Sequence, residues 1–250
     1  MHQPASSAHW LSSWWQSPAG ERLLAEQSPV LAQAVRRFHG DTLLWLGCHS
    51  PTSEIVRRCM VRNRFYSALD GSFPNTDIAS FVSDPQALPL PRASVNAVVV
   101  HHGLECVRDP RTTMREVSRV LVPGGKLVIT GFAPLSTWGV AYALKRPLAE
   151  LHSRFAHPRP VGTGRLLDWL EVLGFQLDDQ RTIWHRRPLP WLRERCRDGW
   201  PLGLRSFVLS ATKQRNAYVA PKRLAELKAR GLAPVAYPKL AAWGRIEQDR

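Results

Sequence analysis

Three short stretches hold the residues best suited to chemistry: the turn Gly47-Cys48-His49-Ser50, the acids Asp70 and Asp84, and the adjacent histidines His101 and His102. A ligand built from an adenine, a ribose and a charged amino-acid end needs three things. It needs a turn that lets it approach the backbone, an acid for the ribose hydroxyls, and a polar group that reads the adenine edge. The turn, Asp70 and Asp84 follow one another in an order that can supply them. A neutral imidazole at His101 or His102 could take a proton from an attacking hydroxyl or amine. The plainer reading makes each histidine a strand-end side chain that satisfies nearby backbone groups. Cys48, His49, His101 and His102 would also suit a metal if their strands were neighbours, but no single element has a ligand spacing, and no metal is expected.

The elements that must position these residues are legible from pattern. Thr42–Leu46 is an almost continuous apolar run ending at Gly47, as in a buried parallel strand. Phe65–Leu69 and Ala79–Ser83 are weaker strand candidates, and each is closed by one of the acids, at Asp70 and Asp84. Val95–Val100 is crowded with β-branched residues and is the strongest strand signal. Pro110–Leu121 reads as a helix, with Met114, Val117, Val120 and Leu121 on one face and Pro123-Gly124-Gly125 as its stop. Lys126–Thr130 then reads as a strand, Arg165–Leu173 as a helix, and Phe175–Ile183 and Ser206–Thr212 as closing strands. Ahead of these elements, an aromatic stretch Trp10–Trp15 precedes a helix expected from Ser17-Pro18 to about Phe38. Strands alternating with helices predict an α/β doubly wound, mostly parallel sheet with ligands beyond the strand carboxyl ends.

The 250 residues suit one α/β domain with extensions, and 44% hydrophobic against 22% charged residues is a composition that builds a core. The formal charge of +14 favours anionic partners, or else reflects solvated arginines. The four cysteines, Cys48, Cys59, Cys106 and Cys196, form no C-x-x-C pair and read as reduced thiols of a cytoplasmic protein. Neither a secretory signal nor a membrane span is expected. Residues 131–164 read as a substrate-facing insertion. Trp184-His185-Arg186-Arg187 and Trp191–Trp200 interleave aromatics with arginine in a basic loop over 184–204, a composition able to stack bases and contact phosphates. The expected organisation is a helical extension or lid over 1–40, a domain over 41–213 and a basic flexible tail over 214–250.

The stretches Ser83–Leu90, Ser94–Glu105 and Met114–Gly125 together resemble the class I S-adenosylmethionine-dependent methyltransferases of the ubiquinone-biosynthesis type. Trp14–Leu24 with Gly131–Gly139 looks like a poorly characterised bacterial branch of that family. The resemblance implies a seven-stranded Rossmann-like fold and S-adenosylmethionine as cofactor. It also implies that Asp84 bonds the adenine amino group, that the following residue, Pro85, lies at the family's backbone N–H contact, and that Asp70 holds the ribose. Gly47, Cys48 and His49 would form the cofactor turn, and Val100 and His101 would lie beside the methionine portion. The sequence departs from the family where only Gly47 stands for a run of three glycines, with His49 and Pro51 in the other places, and where Asn96 replaces an acid in the fourth strand. The leading reading is a methyltransferase acting on a small or medium acceptor. The alternatives are a non-catalytic methyltransferase-like binding or scaffold protein, and an RNA-binding protein that uses the basic loop and tail.

Overall fold

The computed structural model describes residues 4–51, 55, 58–71, 78–133, 159–184 and 205–214. Contacts divide the chain into Met1–Asn216 and Ala217–Arg250, and every described residue belongs to the first unit. The tail, most of the 131–164 insertion and the basic loop over 185–204 lie outside the described residues.

Helices α1 (Pro4–Trp15) and α2 (Pro18–Val35) come first. Ser17 separates them: its Oγ accepts from the Gly20 N–H at 3.2 Å and donates to the Trp14 carbonyl at 2.6 Å, so one side chain closes α1 and caps α2. Strands β1 (Thr42–Gly47), β2 (Asn63–Ala68), β3 (Ala79–Val82) and β4 (Val95–His101) follow. Helix α3 (Pro110–Val120) leads directly into β5 (Leu121–Phe132). Helix α4 (Thr163–Val172), β6 (Phe175–Trp184) and β7 (Arg205–Lys213) complete the order.

The seven strands form one sheet in the order β3-β2-β1-β4-β5-β7-β6. Strands β1 to β5 pair in parallel, and β7 runs antiparallel between β5 and β6. Period-two alternation sorts the buried strand residues onto two faces. Leu44, Leu46, Val98 and Val100 pack with Met114 and Val117 of α3 and Leu166 and Leu170 of α4. Leu43, Trp45, Ala97 and Val99 pack on the other face with Leu31 and Val35 of α2. Each such aliphatic side chain contributes about 1.5–3 kcal/mol by leaving water.

The chain moves outward from β1 to β3 and then returns to place β4 on the other side of β1. That reversal opens a crevice beyond the carboxyl ends of β1 and β4, where ligands of open α/β sheets bind. A third apolar cluster covers this edge: Leu11 and Trp15 of α1, Leu23 of α2, Cys48, Cys106 and Phe132.

The expected elements are present, with two differences. The aromatic stretch is itself the end of a helix, α1, held by its contacts with the sheet edge. The Pro123-Gly124-Gly125 stop instead lies inside β5. Its irregular backbone, with Gly124 at φ +82°, is absorbed by a register shift between Val95 and Ala97 of β4.

Candidate functional site

Gly47 ends β1 opposite His101 of β4. A Cβ on Gly47 would lie 2.2 Å from the His101 carbonyl oxygen, so glycine is required by the approach of the neighbouring strand. The following turn is tied down from three sides. The Trp45 indole N–H donates to the His49 carbonyl at 2.9 Å, the Tyr66 hydroxyl donates to the Gly47 carbonyl at 3.1 Å, and the Leu69 N–H reaches the same carbonyl at 3.3 Å. Burial, and next the Asp70 carboxylate, push the Tyr66 phenol well up, which keeps it protonated and donating.

Asp70 follows β2 and is half-buried; Asp84 follows β3 and is exposed. The Asp84 carboxylate accepts the Gln86 N–H at 2.9 Å, and the loop beyond is clamped by α3. Glu116 accepts the Leu88 N–H at 3.2 Å, while Arg119 donates to the Leu88 and Leu90 carbonyls at 3.0 and 2.9 Å. Arg119 is itself fixed by Glu116 at 2.8 Å, and that hydrogen-bonded pairing holds the Glu116 carboxyl below its usual range. Pro85 has no N–H, so it can meet an adenine only through its ring or its carbonyl. Val100 is fully buried in the core beside Leu46, which leaves only its backbone at the strand edge.

The two histidines, alike in sequence, differ in the fold. His102 has φ +48°, a left-handed conformation that turns its ring toward α2. There its Nε2 lies 3.0 Å from the Gln27 amide nitrogen. Its Nδ1 lies 3.3 Å from Glu105 Oε1, within ion-pair distance but out of line for a hydrogen bond. Glu105 Oε1 in turn accepts the Phe132 N–H at 2.7 Å. Gln27, His102 and Glu105 are all buried, so a polar chain ties α2 to the ends of β4 and β5.

His101 is also buried, yet both of its ring nitrogens have no hydrogen-bond partner among the described residues. Its ring is walled by Trp15 at 5.6 Å, Trp45 at 5.4 Å, His102 at 5.0 Å and His49 at 6.3 Å between centroids. Burial, then the neighbouring His102 and His49, hold its pKa well below the ordinary histidine value, so it is neutral at neutral pH. His49 is lowered too, mainly by burial, against the opposing effect of its Nδ1 contact with the Ser50 carbonyl at 2.6 Å.

The fold therefore brings Gly47, Cys48 and His49 together with His101 and His102, and places Asp70 and Asp84 at the ends of the next two strands. Cys48 meets a different partner: its Sγ lies 3.4 Å from Cys106 Sγ, a contact that, with burial, pushes the Cys106 thiol up. Among the described residues, no three His, Cys, Asp or Glu side chains are grouped to hold a metal ion. Sequence reasoning did not single out Trp15, Gln27 or Cys106 as site residues, and Glu105 appeared there only within a longer motif. The i, i+3 spacing of His102 and Glu105 was the one local signal, because Gln27 and Trp15 arrive from distant elements.

The mostly parallel seven-stranded sheet agrees with the fold of solved methyltransferases. A sequence profile for a methyltransferase domain matches residues 55–129. The chain has the fold of the class I methyltransferases, and its residues 55–129 are similar to a methyltransferase domain.

The chain is similar to the uncharacterized protein YafS of Escherichia coli K12, 36% identical over 38% of this chain and 38% of that protein. It is also similar to the ubiquinone/menaquinone biosynthesis C-methyltransferase UbiE of Caulobacter vibrioides, 38% identical over 28% of this chain and 29% of that one. The chain thus spans less than half the length of these curated relatives. Among solved structures, the geranyl diphosphate C-methyltransferase of Streptomyces coelicolor, complexed with S-adenosyl-L-homocysteine, superposes with a TM-score of 0.55 at 16% identity. That match covers 77% of this chain and 80% of the other, and it shows the shared fold.

The cofactor of this family is S-adenosylmethionine. Buried polar atoms of His101, Trp15 and Glu105 without a hydrogen-bond partner among the described residues, and the acids Asp70 and Asp84, are chemically compatible with that cofactor. The adenine contact that the family draws from a backbone N–H is absent at Pro85.

Proposed function

We propose that this chain transfers a methyl group from S-adenosylmethionine to a nucleophilic acceptor held over the carboxyl edge of the sheet, by in-line displacement. When bound, the cofactor supplies a methyl group on a sulfonium, already a good electrophile. The protein's task is then to fix two partners in line and exclude water, and positioning alone is able to supply much of the acceleration. Gly47, Cys48 and His49 would lie along the cofactor, Asp70 would take the ribose hydroxyls, Asp84 the adenine amino group, and the Val100 backbone and His101 the methionine portion. His102 is engaged by Gln27 and Glu105 and serves to hold the end of β4. No dedicated base is required of either histidine. Leu11 and Trp15 of α1 and Leu23 of α2 cover the crevice.

The observation that carries this reading is the coincidence of the crossover crevice with two acids at the ends of successive strands, in a domain of methyltransferase fold and profile. Trp15 lies against this edge, so titration with S-adenosylmethionine should change tryptophan fluorescence and saturate. Asp84→Ala should then need roughly tenfold more ligand, the loss of one charge-assisted hydrogen bond of about 1.5–3 kcal/mol. Superimposable wild-type and D84A curves would remove Asp84 from the adenine edge.

A further inference from the structure

Cysteines scattered through the sequence become neighbours in the fold. Cys48 follows β1 and Cys106 lies beyond β4, yet their sulfurs are 3.4 Å apart. Methyl transfer makes no use of two adjacent thiols. A disulfide bond is about 2.05 Å long, so the two sulfurs need to approach by only about 1.4 Å to be joined. Cys59 does not compete, because it is buried in the separate cluster on the opposite face of the sheet. Cys48 and Cys106 are 2% and 5% exposed, under a cover made by Leu11 and Trp15 of α1 with Leu23 of α2. That cover is built to open more readily than the sheet below it. Helix α1 is the first element of the described chain, only 12 residues long, with serines at positions 6, 7, 12 and 13 and no acid in its first turn. Its hold is the apolar cluster alone, and such terminal elements open locally at less cost than core strands. With α1 closed, oxidants are excluded and the Cys106 thiol, pushed up by the Cys48 contact and by burial, is a poor nucleophile.

We propose that Cys48 and Cys106 are a redox pair, which a peroxide converts to a disulfide when α1 lifts, and that this bond weakens the hold of the sheet edge on the methyl donor. The effect on the donor rests on the reading above; the pair itself does not. One sulfur, as thiolate, attacks a peroxide oxygen and breaks the O–O bond, which leaves a sulfenic acid and an alkoxide or hydroxide that takes up the thiol proton. The second sulfur then displaces the sulfenic hydroxyl, forming the S–S bond, and its own proton leaves in the water released. Two electrons pass from the sulfurs to the peroxide. The consequence for the turn follows from its anchors. Cys48 stands between Gly47 and His49, whose carbonyls are held by Tyr66 at 3.1 Å and Trp45 at 2.9 Å. Drawing Cys48 toward Cys106 strains both bonds and moves the turn that lies along the cofactor.

The test treats the full chain with hydrogen peroxide, alkylates the remaining thiols and maps linked peptides by mass spectrometry. A Cys48–Cys106 bond that dithiothreitol reverses is expected, and Leu11→Ala, which loosens α1, should speed its formation severalfold. By calorimetry, S-adenosylhomocysteine should bind the oxidised chain roughly tenfold more weakly than the reduced one. Cys106→Ser should bind it equally before and after peroxide. Sulfinic acid at either cysteine, or a bond through Cys59 or Cys196 in its place, would overturn the pair. Equal affinity of the oxidised and reduced chains would overturn the switch, and an unchanged rate in Leu11→Ala would overturn control by α1. A Cys48–Cys106 bond in a chain that binds no S-adenosylhomocysteine when reduced would sink the donor reading and leave the redox pair standing. Should Cys106→Ser fail to fold, recovery of affinity in the wild type on adding dithiothreitol decides in its place.

Discussion

Replacing Gly47 with alanine tests the contact that joins β1 to β4. The added Cβ would stand 2.2 Å from the His101 carbonyl oxygen and 3.2 Å from its carbon, and both atoms are backbone. A tolerable contact requires the strands to part by about an ångström at a paired position, Gly47 against His101, in the middle of the sheet. Overpacking of this kind costs about 1–3 kcal/mol, and a backbone neighbour that cannot rotate away places the cost at the upper end. In a domain of this size, about 3 kcal/mol corresponds to a fall in Tm of roughly 6–12 °C. Gly71→Ala is the control. Gly71 has φ +77°, but a methyl group there would meet no atom within 4 Å, so only left-handed strain of about 1–2 kcal/mol is incurred. Urea unfolding of both variants gives the comparison. A G47A protein no less stable than G71A would refute the close approach of the two strands.

Other consequences follow from the same geometry. Arg119→Ala removes the donors that hold the Leu88 and Leu90 carbonyls, so S-adenosylhomocysteine affinity should fall severalfold by calorimetry while Tm moves little; unchanged affinity would separate the α3 clamp from the Asp84 loop. The lowered pKa values of His101 and His49 predict acid sensitivity. Below the unfolded histidine value of about 6.5, the unfolded chain binds protons that the folded chain refuses, so stability is full above that pH and is lost as pH falls toward the folded values. The slope should reach at most about 1.4 kcal/mol per pH unit per histidine, and His101→Phe should flatten it in urea titrations between about pH 7.5 and 5.5. An unchanged slope in the variant would refute the part given to His101.

Much of the fold was legible because local pattern and tertiary role agree. The β-branched run Val95–Val100 is a central strand buried on both faces, and the Asp109-Pro110 start of α3 caps itself through Asp109, whose carboxylate accepts the Arg111 N–H at 3.0 Å. Helix α1 was not legible, since serines at positions 6, 7, 12 and 13 weaken its propensity and its support comes from Cys48, Cys106 and Phe132 far along the chain. The Pro-Gly-Gly within β5 reads as a stop because its bulge is revealed only by pairing with β4.

The candidate site divides along the same line. Asp70 and Asp84 could be placed at strand ends from spacing. Asn96 stands where the family has an acid, and its side chain instead accepts the Asp41 and Thr42 N–H groups at 3.0 and 3.1 Å, securing the start of β1. The distinction between His101 and His102 was invisible in sequence, because it arises from a left-handed residue that turns one ring to Gln27, 75 positions away, and leaves the other without a partner among the described residues.

The most direct test of the account is a calorimetric titration of the full chain with S-adenosylhomocysteine. Saturable one-to-one binding, weakened by the Asp84→Ala change, is the predicted result. No heat of binding at millimolar ligand would contradict the claim that this sheet edge holds a methyl donor.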